Sequence, residues 1–312
     1  MVCETNPNMV IRTQSLQKTT PFVPRQKEKR LTTLKHHNLT IRLGTSSFSE
    51  DSWKGVFYPE GTDARDYLPH YATVFDTVEV DATYYAIPRQ STVDRWAEVT
   101  PESFLFSLKF PRAIVHGGEG RKPDPKVLLL PDTTYDARDA FLERVKVLGP
   151  RLGPLLLQFP YFNKTVFASR TEFFERLDRF LEDLPKQYRY AVEVRNKWYM
   201  NRELAELCRR HGVSMAVVDQ QWMPHGDELS FDPVTNDLAY IRLLGNRKEI
   251  EEITDSWDRE VIDRGDRLQR WADLIGGWEN RDLTILVYSN NHYAGHAPET
   301  TRRLKALLED RF

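Results

Sequence analysis

Apolar and polar residues alternate in several short runs along the chain. In residues 77–81, Glu79 lies on the opposite side from two valines, and Glu193 does the same in residues 191–195. A two-residue period is typical of a β-strand with one apolar and one polar face. Because amphipathic stretches between the runs must cover the apolar face, we expect the polar face to turn toward an enclosed centre.

Eight such runs are predicted as strands: Thr40–Thr45, Thr73–Val80, Phe104–Phe110, Gly153–Phe159, Tyr188–Arg195, Val213–Asp219, Leu238–Leu243 and Leu283–Tyr288. Strands that alternate with helices indicate a parallel sheet. Eight units favour an α/β fold of the (β/α)8 TIM type, a closed parallel sheet with outer helices. An open doubly wound sheet is disfavoured because no strand is followed by a glycine-rich phosphate loop.

The length of 312 residues predicts one barrel domain at 39–312, preceded by a separate tail at 1–38. The tail contains seven Lys or Arg against two Glu, three prolines and no apolar periodicity. Such composition predicts a disordered basic segment. A signal peptide needs an apolar stretch after its basic residues, and the tail has none.

The remaining composition indicates a cytoplasmic protein. The net charge is −2, and no apolar run approaches the roughly 20 residues of a membrane span. The two cysteines, Cys3 and Cys208, are too few and too far apart to indicate a disulfide framework. We therefore expect no membrane partner, and the oligomeric state stays open.

Charged and amide side chains recur at the predicted carboxyl ends of the strands, where such barrels carry their sites. The catalytic candidates are Glu79, Lys109, Glu193 and Asp219. The ligand-binding candidates are Thr45, Ser46, Tyr84, Arg112, His116, Gln158, Arg195, Trp198, Arg242, Tyr288, Asn290 and Asn291. The opposing interpretation is a self-paired ionic network, in which Glu79 reaches Lys109 and Asp219 lies between Arg195 and Arg242.

Short motifs in a fixed order run through most of the chain. They include Gly44 to Phe48, residues 57–59, 78–80 with 83–85, 106–109, 191–195 and 290–292. Over roughly Ile41 to Leu308 the chain resembles the YecE-like family, domain of unknown function 72. The resemblance implies a TIM-type barrel and carries no established reaction or cofactor.

The charges favour a small anionic molecule as the ligand. Arg195 and Arg242 offer bidentate donors, and the loop at Asn290 leads into a helix whose N-terminus attracts anions. The like charge of Asp81 raises the pKa expected for a neighbouring carboxyl group, which favours Glu79 as the acid. Arg195 lies beside Glu193 and favours Glu193 as the orienting group. We therefore expect a hydrolase or isomerase-type enzyme that binds a phosphorylated sugar or nucleotide-like molecule.

Two alternatives remain open at this level. A metal-dependent phosphodiesterase acting on nucleic acid would hold a divalent ion with Glu79, Glu193, Asp219 and a loop histidine, His116 or His292. No clustered metal motif supports this, so no metal ligand is assigned. A non-catalytic ligand-binding module would use the same mouth. Loop aromatics form either a packed lid or a stacking platform: Trp53, Phe57, Tyr58, Tyr84, Tyr85 and Trp198.

Overall fold

The computed structural model describes residues 33–118 and 120–312. Its strands are β1 (Leu34–His36), β2 (Leu39–Thr45), β3 (Thr77–Val80), β4 (Leu105–Lys109), β5 (Leu152–Gln158), β6 (Tyr190–Glu193), β7 (Ser214–Gln220), β8 (Leu238–Gly245) and β9 (Leu283–Ser289). Its α-helices are α1 (Tyr67–Val74), α2 (Gln90–Val99), α3 (Arg112–Val115), α4 (Pro131–Val145), α5 (Arg170–Glu182), α6 (Arg202–Arg210), α7 (Arg247–Glu251), α8 (Gly265–Gly276), α9 (Asn291–Ala294) and α10 (Ala297–Glu309).

The strands form one curled sheet in the order β1-β2-β9-β8-β7-β6-β5-β4-β3. Every neighbouring pair is parallel except β1 with β2. With helices outside and β2 returning to β3, this is a (β/α)8 TIM-type barrel, and the fold prediction is confirmed. Among the described residues, no helix is both long and apolar enough to cross a membrane.

The barrel closes between β2 and β3 without a backbone ladder in the described sheet. The Tyr71 hydroxyl, from α1, bridges the two strands: it accepts from Thr45 N at 3.0 Å and donates to Thr77 O at 3.1 Å. Gly44 passes so close that a Cβ atom there would lie 2.3 Å from Thr77 O. Glycine is therefore required for the closure.

The predicted alternation holds in β3 and β6. Val78, Val80 and Val192 pack in the apolar layer between the sheet and the helices, whereas Glu79 and Glu193 turn inward and are 0 % exposed. A separate apolar cluster, including Leu156 and Tyr240, fills the barrel interior. The inner wall thus carries both an apolar layer and the buried carboxylates.

Two sequence predictions need correction. Leu34–His36 falls in the predicted tail, but it forms β1, antiparallel to β2, because its backbone pairs with Leu39–Ile41. The rest of that tail, residues 1–32, lies outside the described residues. The strand predicted from Thr73 begins at Thr77, since α1 continues to Val74.

Candidate functional site

A buried ionic network occupies the barrel centre around Arg242. Its Nε and Nη2 atoms donate to Glu79, at 2.9 Å to Oε2 and 2.6 Å to Oε1. Nη1 donates to Glu193 Oε2 at 2.6 Å and to Gln158 Oε1 at 3.0 Å. With Nη2 also 3.5 Å from Asp81, all five N–H groups of the guanidinium face an acceptor.

The network reaches the barrel mouth through Asp81 and Lys109. Lys109 Nζ lies 2.7 Å from Asp81 Oδ1 and 2.7 Å from Gln158 Oε1. The Asp81 side chain is 33 % exposed, whereas that of Lys109 is 7 % exposed. Asp81 is therefore the carboxylate of the network that a ligand can reach.

Electrostatics keep the carboxylates of Glu193 and Asp81 ionised. Burial alone would raise the pKa of Glu193, but Arg195 and Arg242 outweigh it and the pKa falls below its ordinary value. Burial would also raise the pKa of Asp81, but the nearby Lys109 and Arg242 outweigh it, and the pKa falls below its ordinary value. Burial raises the pKa of Tyr240, whose hydroxyl donates to Glu79 Oε2 at 2.7 Å.

The other end of the network opens into an aromatic cleft. Arg195 Nε lies 2.5 Å from Glu193 Oε1, and Arg195 Nη1 donates to Gln220 Oε1. Both Arg195 and Gln220 line a cleft of about 500 Å3. The other residues lining this aromatic cleft are Tyr161, Lys197, Trp198, Trp222 and Met223.

The cleft combines exposed rings with positive charge. Trp198 is 74 % exposed, Trp222 73 % and Tyr161 66 %, all on loops that follow strand carboxyl ends. Lys197 Nζ lies 4.8 Å from the Trp198 ring centre. Among the residues the structure describes, Lys197 forms no ion pair, and no acidic residue lines the cleft.

A second, smaller concavity lies at the ends of β2 and β9, with a volume of about 160 Å3. We call it the serine cavity because Ser46, Ser47, Ser49 and Ser289 line it. Asp81 also contributes to its wall, so the ionic network lies between the serine cavity and the aromatic cleft. The predicted ligand residues Thr45, Ser46, Asn290 and Asn291 line it. The Thr45 hydroxyl is engaged with Tyr71 Oη at 2.8 Å and with Ser47 O at 2.6 Å.

Asp219 does not face the barrel centre, contrary to the sequence expectation. It lies on the outer side of β7, where Trp271 Nε1 and the Tyr293 hydroxyl each donate to Oδ2 at 2.8 Å. Arg267 completes this arrangement as its ion-pair partner. The apolar residues on both faces of β7 concealed the strand's phase. Asp219 therefore fixes helices to the barrel wall and does not join Arg195 and Arg242.

Several other predicted ligand residues are engaged in the protein. Tyr288 is buried, and its hydroxyl lies 2.7 Å from both Thr77 Oγ1 and Ser107 Oγ. Arg112 donates to Gly118 O and Gly120 O in its own loop. His116 is buried and Tyr84 half-buried, and neither lines a cavity with Asp81 or Arg195.

The predicted aromatic group divides into two parts. Trp53, Phe57 and Tyr58 are at most 3 % exposed and pack on one another, so they form a lid. Tyr85 and Trp198 are exposed at the mouth. Tyr161, Lys197 and Trp222 were not identified from the sequence. Their positions directly after the ends of predicted strands are the sequence signal that could have identified them.

The residue set considered for a metal is not assembled. Asp219 is on the far side of the barrel wall, and the described part of the chain contains no group of three or more His, Cys, Asp or Glu residues arranged to hold an ion. The carboxylates of Glu79 and Glu193 contact Arg242 instead.

Comparison with known proteins places the chain in a family. It is 33 % identical over 153 residues to UPF0759 protein YecE of Escherichia coli O157:H7, a match covering 49 % of this chain and about half (50 %) of that relative. UPF0759 protein YunF of Bacillus subtilis is 23 % identical over 81 % of this chain and 90 % of its own.

Solved structures agree. A DUF72 family protein from Thermotoga maritima superposes with a TM-score of 0.64 at 28 % identity, over 86 % of this chain and 99 % of that one. One from Enterococcus faecalis gives 0.62 at 23 % identity, over 88 % and 99 %, and so shares the fold. The family model for the protein of unknown function DUF72 matches residues 42–312. The chain belongs to the DUF72 family.

Proposed function

We propose that this protein is an enzyme of the hydrolase or isomerase type whose aromatic cleft binds an anionic molecule with a ring, a phosphorylated sugar or a nucleotide-like molecule. The observation that carries the proposal is the combination of three exposed aromatic rings with Arg195 and Lys197, in a cleft that no acidic residue lines among those the structure describes. Rings stack on bases or sugars, and the cations attract phosphate. Arg242 does not take this role, because its donors are engaged.

The cleft has the size of a small-molecule site. Its volume of about 500 Å3 lies within the roughly 300–1,000 Å3 of ligand pockets. Trp198 and Trp222 expose apolar faces. A ligand ring that covers these faces displaces water from them at little cost in free energy. A ring that stacks on an aromatic side chain gains about 1–3 kcal/mol.

Asp81 and Lys109 do not line the aromatic cleft, but contacts through Glu193, Arg242 and Gln158 connect them to its Arg195. We assign the chemistry to Asp81 and Lys109 for a ligand that extends from the cleft across this network. Asp81 is the exposed carboxylate of the network, and its lowered pKa keeps it ionised at neutral pH, as a proton acceptor or a stabiliser of positive charge requires. Lys109, 2.7 Å away, supplies a donor. Glu79 is not favoured as the acid, because Arg242 and Tyr240 hold both of its oxygens.

Binding is tested by calorimetric titration with adenosine monophosphate, glucose 6-phosphate and inorganic phosphate. We expect the ring-bearing phosphates to bind more tightly than phosphate alone. Trp198→Ala should weaken only the ring-bearing ligands, and Lys197→Gln all three. Lys146→Gln, which removes an exposed lysine at the end of α4, is the matched control.

Equal affinities in wild type and Lys197→Gln would refute the proposal, as would adenosine binding as tightly as its phosphate. An oligothymidylate that binds at least a hundredfold more tightly than the mononucleotide would indicate that the ligand is nucleic acid and not a small molecule.

The reaction type is tested by incubating sugar phosphates in heavy water. Deuterium incorporation at carbon indicates an isomerase, and phosphate release a hydrolase. Either activity should vanish in Asp81→Asn and persist in Asp178→Asn, a surface control.

A further inference from the structure

We infer that the serine cavity at the ends of β2 and β9 binds a neutral, hydroxyl-bearing group such as a polyol. This inference goes beyond the proposed function, because Ser46, Ser289 and their neighbours do not line the aromatic cleft. It assigns a second ligand chemistry to the other side of the ionic network.

Two buried hydroxyl groups carry the inference. Ser46 and Ser289 are 2 % and 1 % exposed, and the Oγ atom of each has no hydrogen-bond partner among the described residues. The two residues are neighbours, since Ser46 N donates to Ser289 O at 2.9 Å. A buried hydroxyl without a partner costs free energy unless a bound molecule pairs with it. Both residues line the same cavity.

The rest of the wall offers both donors and an acceptor. Asn291 Oδ1 accepts from Trp53 Nε1 at 3.3 Å and Ala297 N at 3.0 Å, and Asn290 Oδ1 accepts from His292 N at 3.0 Å. With these oxygens engaged, the two amide NH2 groups remain as donors. Asp81 adds a carboxylate acceptor. A hydroxyl group both donates and accepts, so it suits this mixture.

The charges exclude an anion as the preferred ligand. Asp81 and Glu50 line the serine cavity, and no Lys or Arg of the described residues does. Burial and the nearby Arg247 lower the pKa of His292, so that its ring is uncharged at neutral pH. A volume of about 160 Å3 is below the roughly 300–1,000 Å3 of pockets for drug-sized ligands, so a group of a few carbon atoms fits.

The test uses glycerol and erythritol at millimolar concentration. Binding is followed by calorimetry and by the NMR signal of the Trp53 indole N–H, which lies at the cavity wall. We expect saturable binding, and at least a tenfold loss of affinity in the double variant Ser46→Ala/Ser289→Ala. Because neither hydroxyl has a partner in the described part of the chain, the double variant should be as stable as the wild type or more stable.

Ser107→Ala is the matched control. Its hydroxyl lies 2.7 Å from Tyr288 Oη in the barrel interior, so this variant should lose stability and keep its polyol affinity. Equal affinity of the double variant and the wild type would overturn the inference. So would tight binding of ethanolamine, a cation, without binding of the neutral polyols. Neither outcome changes the expected binding of phosphates in the aromatic cleft, so the two proposals fail separately.

Discussion

Arg242 and Glu79 form a two-point ion pair inside the barrel, with Nε 2.9 Å from Oε2 and Nη2 2.6 Å from Oε1. Both side chains are at most 1 % exposed. The pair is extended by Glu193, Asp81 and Lys109, so every buried charge of this network has a partner of opposite sign. Charges removed from water are stable only in such an arrangement.

Arg242→Gln should therefore lower the free energy of unfolding by about 3–5 kcal/mol, because Glu79 and Glu193 lose their shared cation. Urea denaturation measures this. Arg247→Gln, which removes an exposed ion pair with Glu251, should cost less than about 1 kcal/mol. A loss as small as the control's would show that the network does not need its central arginine.

Acid should destabilise the protein through Glu193. Its pKa in the folded protein lies below the ordinary 4.5, so its stabilising contribution is complete above pH 4.5 and is lost as pH falls through the folded-state pKa. The slope of unfolding free energy against pH below 4.5 should thus be shallower in Glu193→Gln, by up to about 1.4 kcal/mol per pH unit. Identical slopes would contradict the pairing.

Tyr71→Phe should weaken the closure of the barrel. The hydroxyl pairs with Thr45 N and Thr77 O, and its removal leaves a buried N–H without an acceptor, at a cost of about 1–3 kcal/mol. Thermal and urea unfolding measure the loss. Tyr135→Phe, whose hydroxyl contacts the exposed Asp183, should change stability much less. A similar loss of stability in both variants would argue against a special role of the Tyr71 hydroxyl in the closure between β2 and β3.

Truncation tests the boundary of the tail. The sequence predicts that removal of residues 1–38 leaves the melting temperature nearly unchanged, but β1 lies within that range and His36 stacks on Phe312. A chain starting at Leu39 should therefore melt several degrees below one starting at Thr33, and each 1 kcal/mol corresponds to roughly 2–4 °C for a domain of this size. Equal melting temperatures would restore the original boundary.

The sequence alone determined the barrel and most of its strands. Glu79 and Glu193 each lie between valines, so the alternation defined which side was polar. Where both sides of a strand are apolar, the alternation does not indicate which side faces the barrel centre. In β7 the residues before Asp219 give no phase, and the carboxylate was assigned to the wrong side of the wall. Strand β1 has only three residues, too few to show a two-residue alternation.

The sequence also determined which residue types gather at the mouth, because parallel strands end at one edge. Only the tertiary structure decided how they pair. Whether Arg242 binds a ligand or three carboxylates depends on distances across the barrel, between strands remote in sequence, and no local pattern encodes them. The same holds for the hydroxyls of Ser46 and Ser289, which have no hydrogen-bond partner within residues 33–118 and 120–312. These two residues become neighbours only when β2 and β9 meet.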